Sequence, residues 1–302
     1  MRGVFFIVGP TAVGKSDIAA DVAQQLGAEI VNADAFQIYR GLDLLTAKPE
    51  APTLARAPHH LTGTMSILEE MNAEKFRRLA LQMISEIHSR GKLAIVVGGS
   101  GLYVKALTHG LSAVPASDRK TRAKLNKLSL DQLCRRLVKI DPESARKIDL
   151  KNRRRVVRAL EICLLTGRPA SQQHTEWRDD VATRGVVVFR NRDELYERIN
   201  RRVETMFEKG VIEEVRAAGA MSETASKMIG LREIRALLDG KMSVLQCAAA
   251  IQQATRRYAK RQLTWFRRQT NFQLLNLSLF THIEAVKWIS RRARLALAQG
   301  ND

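Results

Sequence analysis

Cysteine is scarce in this chain. Its three residues, Cys134, Cys163 and Cys247, are odd in number and far apart. That pattern gives neither a disulfide framework nor the spacing of a zinc site, so the thiols are expected to be reduced, in a cytoplasmic protein. Long apolar runs are missing too. The N-terminal run Val4-Phe5-Phe6-Ile7-Val8 is far short of a membrane span, and it leads directly into a glycine-rich loop, unlike a signal peptide. Acidic residues are the third shortage: 31 Asp and Glu face 50 Lys and Arg, a net charge of +19. A solubilising surface would mix the two signs more evenly, so this surplus points to a polyanionic partner. With no membrane expected, that partner is a nucleic acid. The rest of the composition is that of a globular protein, 45% hydrophobic and 27% charged over 302 residues, enough for one large domain and a smaller one. Internal repeats and low-complexity tracts are absent from the sequence.

The most informative segment is Gly9-Pro10-Thr11-Ala12-Val13-Gly14-Lys15-Ser16, which completes the pattern G-x-x-x-x-G-K-[ST]. An apolar strand precedes it and a helix is expected from about Asp17 to Leu26, which is the setting a phosphate-binding loop needs. Glycines let the backbone curl so that its N–H groups face inward; Lys15 supplies a cation, Ser16 a hydroxyl for Mg²⁺, and the helix N-terminus a partial positive charge. The protein is therefore expected to hold a di- or triphosphate.

Strand and helix signals alternate over the first 110 residues, as a parallel α/β sheet requires. Strands are expected at Val4–Val8, Glu29–Ala33 and Leu93–Val97, with a long helix at Ala73–Arg90. The strands end at the phosphate loop, at Asp34, and at Gly98-Gly99-Ser100-Gly101. Ligands in open α/β sheets bind beyond the carboxyl ends of strands, so these three ends should meet at one site. After Leu111 the character changes to helical and basic: 15 Lys or Arg against 4 Asp or Glu lie between Arg119 and Arg158. A strand signal returns at Val186–Phe189, helices resume at Glu194–Lys209, and a last long helix spans about Ser243–Phe266. On that helix Ala248, Ile251, Tyr258 and Trp265 have core spacing, and Arg256, Arg257, Lys260, Arg261, Arg267 and Arg268 form a basic face. The reading is a P-loop NTPase-like parallel sheet flanked by helices. Residues 1–110 start the core, 111–186 form an inserted, mostly helical basic domain, and 187–302 complete the core and add C-terminal helices.

No carboxylate ends the strand at Leu93–Val97, where an ordinary P-loop ATPase would hold its Mg²⁺ and water. That argues against a motor or GTPase. Asp34 is the nearest carboxylate, and it can serve as a general base, a helix cap or a Mg²⁺ ligand. His59 and His60 are adjacent and cannot easily face one ion, so they are not read as a metal pair. Trp177 and Trp265 could stack bases, but core packing suits Trp265 better.

The wider pattern resembles a known family. Asp34-Ala35-Phe36-Gln37-Ile38-Tyr39-Arg40-Gly41-Leu42-Asp43, Thr46-Ala47-Lys48-Pro49, Pro58-His59-His60-Leu61 and Gly98-Gly99-Ser100-Gly101-Leu102-Tyr103 resemble successive signatures of the tRNA dimethylallyltransferases. So do Asp141-Pro142-Glu143-Ser144-Ala145, Arg158-Ala159-Leu160-Glu161, Thr166-Gly167-Arg168-Pro169 and Arg256-Arg257-Tyr258-Ala259-Lys260-Arg261-Gln262-Leu263-Thr264-Trp265. Each string is weak alone; their order from residue 4 to about 268 is specific. The resemblance implies transfer of a five-carbon group from dimethylallyl diphosphate to the exocyclic amine of the adenosine 3′ of a tRNA anticodon, with Mg²⁺ as cofactor. Two rivals are a P-loop small-molecule kinase and a prenyltransferase acting on free adenine nucleotides; the basic insertion favours polymeric RNA.

On this resemblance Asp34 takes the amine proton, Ser100 stands where a threonine is usual near the reacting centre, and Lys15 neutralises the leaving diphosphate. The loop from Gly9 to Ser16, with Lys227, holds the diphosphate, and Ser16 holds the metal. Asp34, Phe36, Gln37, Tyr39, Arg153, Arg154, Arg155, Arg158, Arg256, Lys260 and Gln262 are expected to contact the anticodon arm, with the protein acting as a monomer. The chain departs from the family at Leu45, where Gly is usual, at Leu231, often aromatic, and at Lys227, commonly Gln or Arg.

Overall fold

The computed structural model describes residues 3–111, 114, 115, 117–173 and 184–298. The chain divides into two compact units, one made of residues 1–108 and 181–302, the other of 109–180.

The first unit is built on six parallel strands: β1 (Val4–Val8), β2 (Glu29–Asn32), β3 (His59–His60), β4 (Ala94–Gly98), β5 (Arg184–Phe189) and β6 (Gln273–Asn276). Their order across the sheet is β3-β2-β4-β1-β5-β6. The helices of this unit are α1 (Lys15–Leu26), α2 (Ala51–Leu54), α3 (Ala73–Ser89) and α4 (Gly101–His109), then, after the second unit's α5 to α8, α9 (Arg192–Glu208), α10 (Val211–Ala217), α11 (Leu231–Leu238), α12 (Val244–Gln269) and α13 (His282–Ala298). The expected strands and long helices are present with ends shifted by a few residues. β3 and β6, at the two edges, carry no clear apolar alternation and were not legible in the sequence.

Alternation along the central strands distributes side chains to two cores, because successive residues of a strand point to opposite faces. Val4, Phe6 and Val8 of β1 join Ala94 and Val96 of β4, with Phe76 and Ile84 from α3 and Phe266 from α12. Phe5 and Ile7 face the other way, with Ile95 and Val97, against Ile18 and Val22 of α1 and Val286 and Ile289 of α13. Both faces are covered, which is why these strands read as continuous apolar runs rather than as alternating ones.

The second unit comprises α5 (Arg119–Asn126), α6 (Leu130–Ile140), α7 (Pro142–Lys147) and α8 (Arg153–Thr166) around Leu125, Leu133, Leu137, Val156 and Leu160. Glu161 is fully buried there and is held by Arg122 (3.0 Å), Arg158 (2.8 Å) and the backbone N–H of Asp118 (2.8 Å). Asp141 caps α7 through the N–H of Ser144 and accepts from both the N–H and the hydroxyl of Ser171. These hydrogen bonds hold its carboxyl near 2, against the pull of burial.

Glu29 is the corresponding buried acid of the sheet unit, ringed by Arg90 (2.7 Å), His60 (2.7 Å) and Lys92 (3.0 Å). The Arg90 contact, assisted by His60 and Lys92, lowers its pKa from 4.5 to about 2. A depressed carboxylate pKa contributes stability that is complete above the unfolded value and is lost as pH falls through the folded one. The stability gap between wild type and Glu29→Gln is therefore expected to shrink as pH is lowered from about 4.5 to about 2. Urea unfolding over that range measures it; a constant gap would mean that the charge contributes nothing.

Candidate active site

The phosphate loop leaves β1 at Val8 and enters α1 at Lys15. Gly9 is pressed against β5, so that a Cβ there would sit 2.2 Å from the Val188 carbonyl oxygen. Ala12 and Gly14 both take positive φ, 63° and 95°, turning the loop back on itself. Lys15 Nζ donates to the Pro10 carbonyl (3.2 Å) inside this curl. Burial, with a smaller contribution from Arg202, lowers the Lys15 pKa to about 8, while Asp34 opposes the shift.

Three arginines brace the loop from the β5 side, and none was expected from the sequence. Arg190 Nε donates to the Val13 carbonyl (3.0 Å), Arg198 Nε to the Ala12 carbonyl (2.9 Å), and Arg202 Nη1 to the Thr11 hydroxyl (2.8 Å). Arg198 and Arg202 are one turn apart on α9 and so share a face. Their four-residue spacing is the signal that was available in the sequence. Burial, and then the neighbouring Arg198, depresses the Arg202 pKa, with Asp34 pulling the other way. Arginine remains charged at any ordinary pH. Lys15 and Arg202 thus concentrate positive charge around the loop, and a bound diphosphate would supply the missing negative charge.

Asp34 follows β2, two positions across the sheet from β1, with β4 between them. Its Oδ1 accepts from the N–H groups of Phe36 (2.9 Å) and Gln37 (3.3 Å), so the capping alternative is realised by one oxygen. The carboxylate also lines the main cleft beside Thr11, Arg202 and Tyr258. The Ser100 hydroxyl accepts from the Ala35 N–H (2.9 Å), fixing the residue next to Asp34. The glycines around Ser100 are dictated by crowding. A Cβ at Gly98 would lie 2.3 Å from the Ala33 carbonyl oxygen, at Gly99 2.2 Å from Gln262 Nε2, and at Gly101 2.4 Å from the Trp265 ring.

Gln262, buried on α12, joins the two strand ends. Its Oε1 accepts from the Thr11 N–H (2.9 Å) and its Nε2 donates to the Gly99 carbonyl (2.9 Å). Tyr258, one turn earlier, hydrogen-bonds the side chains of Ser100 and Gln262; burial and then Asp34 raise its pKa, keeping the phenol protonated.

The cleft has a volume of about 670 Å³ and opens to solvent. Thr11, Asp34, Arg202 and Tyr258 form its polar end, and Val203, Met206, Phe207, Met228, Ile234 and Ile251 are among its apolar walls. It can hold a charged head at the loop and an apolar tail away from it. A smaller cleft of about 250 Å³ lies on the Ser16 side, lined also by Asn32, Gln37 and Thr62.

Several expected contact residues have other duties. Tyr39 is fully buried and its hydroxyl meets Thr224 (2.7 Å), so it is a core residue and not an RNA contact. Gln262 is corrected in the same way: burial and the loop bridge occupy it. Gln37 donates to the carbonyls of Thr46 (3.2 Å) and Ala47 (2.8 Å), shaping the cleft rim, while Phe36 lines the cleft itself. Arg158 serves the buried Glu161, and Arg153 donates to the carbonyls of Asn126 (3.0 Å) and Leu128 (2.7 Å); both are structural. Arg154 and Arg155 are exposed, as is Lys260, whereas Arg256 is held by Asn200 (2.5 Å) and stacks on Tyr196. Lys227 pairs with Glu223 (2.6 Å), so the structure places arginines of α9, not Lys227, on the loop. His60 belongs to Glu29, and no group of three metal-ligating side chains occurs among the described residues. Trp265 packs edge-on against Phe266, while Trp177 lies outside the described residues.

The IPP transferase family model matches residues 37–269. The tRNA dimethylallyltransferase 1 of Citrifermentans bemidjiense is 45% identical over 90% of this chain and 91% of its own length. That of Akkermansia muciniphila is 43% identical over 87% and 90%. The crystal structure of the tRNA isopentenylpyrophosphate transferase from Bacillus halodurans superposes with a TM-score of 0.72 at 35% identity, covering 99% of this chain and 98% of that one. The chain belongs to the IPP transferase family. A eukaryotic dimethylallyltransferase caught acting on tRNA has the same fold, with a TM-score of 0.78 at 27% identity over 99% of this chain and 78% of that one.

Within this IPP transferase the Gln262 bridge is open to a direct test. Gln262→Leu keeps an apolar bulk but leaves the Thr11 N–H and the Gly99 carbonyl without their partner. A buried polar group left unpaired costs about 1–3 kcal/mol. Urea denaturation is expected to show a loss of that order, together with weaker inhibition by inorganic pyrophosphate as the loop slackens. Unchanged values of both would remove the bridge from the site's support.

Proposed function

We propose that the protein transfers a dimethylallyl group from dimethylallyl diphosphate to the exocyclic amine of the adenosine 3′ of the anticodon in tRNA, releasing diphosphate. The observation that carries this reading is the cleft, with cationic loop and carboxylate at one end and apolar walls beyond. A kinase for small molecules would not need those walls, and family membership disfavours it.

In the reaction the adenosine nitrogen attacks the first carbon of the prenyl group as the bond from that carbon to the diphosphate oxygen breaks. The amine loses a proton in the same step. An adenine amine is a poor nucleophile because its lone pair is delocalised into the ring, so a carboxylate placed to take that proton speeds the step. Asp34 has that role here, and the Ala35–Ser100 hydrogen bond fixes the adjoining backbone. Lys15, Arg202 and the loop N–H groups meet the charge that grows on the leaving diphosphate. Ser16 fits Mg²⁺: it offers a hard hydroxyl oxygen at the start of α1 and leaves other positions to diphosphate and water. The ion, when bound, would neutralise diphosphate charge.

The basic second unit supports an RNA partner, with the exposed Arg154 and Arg155 as phosphate contacts. A target adenosine within a loop must unstack before its amine can reach Asp34. The three free cysteines support a reducing, cytoplasmic compartment, and we assign the activity to a monomer. No helix among the described residues is long and apolar enough to cross a membrane.

Purified protein, tRNA and dimethylallyl diphosphate, followed by mass spectrometry of the nucleosides, tests the assignment; failure to form prenyladenosine would sink it. Asp34→Asn is expected to lower the maximal rate by about 10²–10⁴-fold, the range for loss of a general base, with little change in affinity for either substrate. Rescue of the variant by excess Mg²⁺ would instead make Asp34 a metal ligand. Charge reversal at Arg154 and Arg155 is expected to flatten the log–log salt dependence of tRNA binding by about 0.7–0.9 per lost phosphate contact. An identical slope in the double variant would make these arginines a solvated face and nothing more.

A further inference from the structure

The apolar cleft has a direction that α9 defines. Arg202 touches the phosphate loop at Thr11, and Val203, Met206 and Phe207 follow it along the cleft wall. At 1.5 Å per residue, Phe207 lies about 7–8 Å further from the loop than Arg202. Past the end of α9 comes α10, and its Glu214 accepts from the N–H groups of Leu44 and Leu45 at 2.9 Å each. This two-pronged contact pins the backbone of Leu45 at the end of the cleft away from the phosphates. The leucine side chain is 7% exposed and lines the cleft. Its Cδ1 would be 3.0 Å from a Cβ built on Gly230, and Ile251 Cδ1 would be 3.3 Å from the same point. Leu45 and Ile251 therefore meet over bare glycine backbone. Gly230 has φ +92°, a conformation that other residues rarely adopt, so that side of the wall cannot gain a side chain without strain.

We infer that Leu45, pinned by Glu214, is the wall that limits the cleft to a single isoprene unit and so selects the dimethylallyl donor over longer prenyl diphosphates. The inference rests on the prenyl-transfer reading above. Donors of different length share the diphosphate, so the loop, Lys15 and Arg202 bind them alike and cannot discriminate. Selection must come from the far end, where a longer tail would have to displace Leu45. The leucine side chain contributes four carbons, close to the five of an isoprene unit, so shortening it frees room of the right order for part of a second unit.

The test compares kcat/KM for dimethylallyl and geranyl diphosphate, with tRNA as acceptor, in wild type, Leu45→Ala, Leu45→Val and Leu45→Met. Wild type is expected to prefer dimethylallyl diphosphate strongly. Leu45→Ala should shift the ratio toward geranyl by about tenfold or more, the scale at which apolar pockets discriminate a few carbons. Leu45→Val should shift it less, in the same direction, and Leu45→Met, of similar bulk, should leave it near wild type. Should Leu45→Ala not fold, as judged by circular dichroism, the valine variant decides. An unchanged ratio in a folded, dimethylallyl-active alanine or valine variant would overturn the proposal, and so would wild-type protein that uses both donors equally. A wild type that transfers no dimethylallyl group would overturn the prenyl-transfer reading itself, which is a different result from a failed shift.

Discussion

The site depends on close approach between α12 and the ends of β1 and β4. Helix and strands meet so tightly at Gly98, Gly99 and Gly101 that no side chain has room there. The one polar group admitted into this contact, the Gln262 amide, uses both its donor and its acceptor, on Gly99 and on Thr11. A buried amide is costly unless it is paired, and here the pairing is what ties the phosphate loop to the neighbouring strand. Tyr258 extends the same helix face to Ser100, so one helix registers the loop, the serine and, through Ala35, the backbone beside Asp34.

This crowding also bears on the chemistry. An ATP-hydrolysing P-loop protein keeps a carboxylate at the end of a strand near the loop, to hold Mg²⁺ and order its water. At the end of β4 that place belongs to Gly98, whose Cβ direction is filled by the Ala33 carbonyl. The available carboxylate is displaced one strand further, to Asp34, where it faces the cleft and not the phosphate side of the loop. A loop that grips a diphosphate, combined with a carboxylate set back from it, suits attack at a carbon attached to the diphosphate better than attack at phosphorus. The same backbone that other folds use to transfer phosphate is thereby suited to releasing it.

Much of this was legible in the sequence, for identifiable reasons. The phosphate loop, Asp34 and the glycine-rich end of β4 are local signals, and parallel-sheet geometry alone brings them together. The arginines of α9 were not legible as site residues, because nothing local says which face of a basic helix turns inward. Their contacts with Ala12 and Thr11 span more than 180 positions of chain. The opposite error fell on Tyr39, Gln262, Arg153 and Arg158. They sit in strings that mark the family, and a conspicuous polar residue in such a string is easily given to the substrate. Tyr39 and Gln262 support the site from within the core, and Arg153 and Arg158 hold the second unit together.

The distribution of charge separates two tasks that a net value of +19 conceals. Part of the positive charge is buried and committed: Arg122 and Arg158 to Glu161, and Arg198 and Arg202 to the phosphate loop. These cations fix geometry at short range and are little affected by salt, because screening acts weakly on buried groups. The rest, including Arg154, Arg155 and Lys260, is exposed and acts at longer range on a polyanion, where salt weakens it directly. Binding of the small diphosphate and binding of the large RNA thus rest on the same side-chain chemistry in two dielectric settings. Ionic strength should therefore alter the second far more than the first. A basic chain of this kind can hold its leaving group firmly while remaining free to release its nucleic acid.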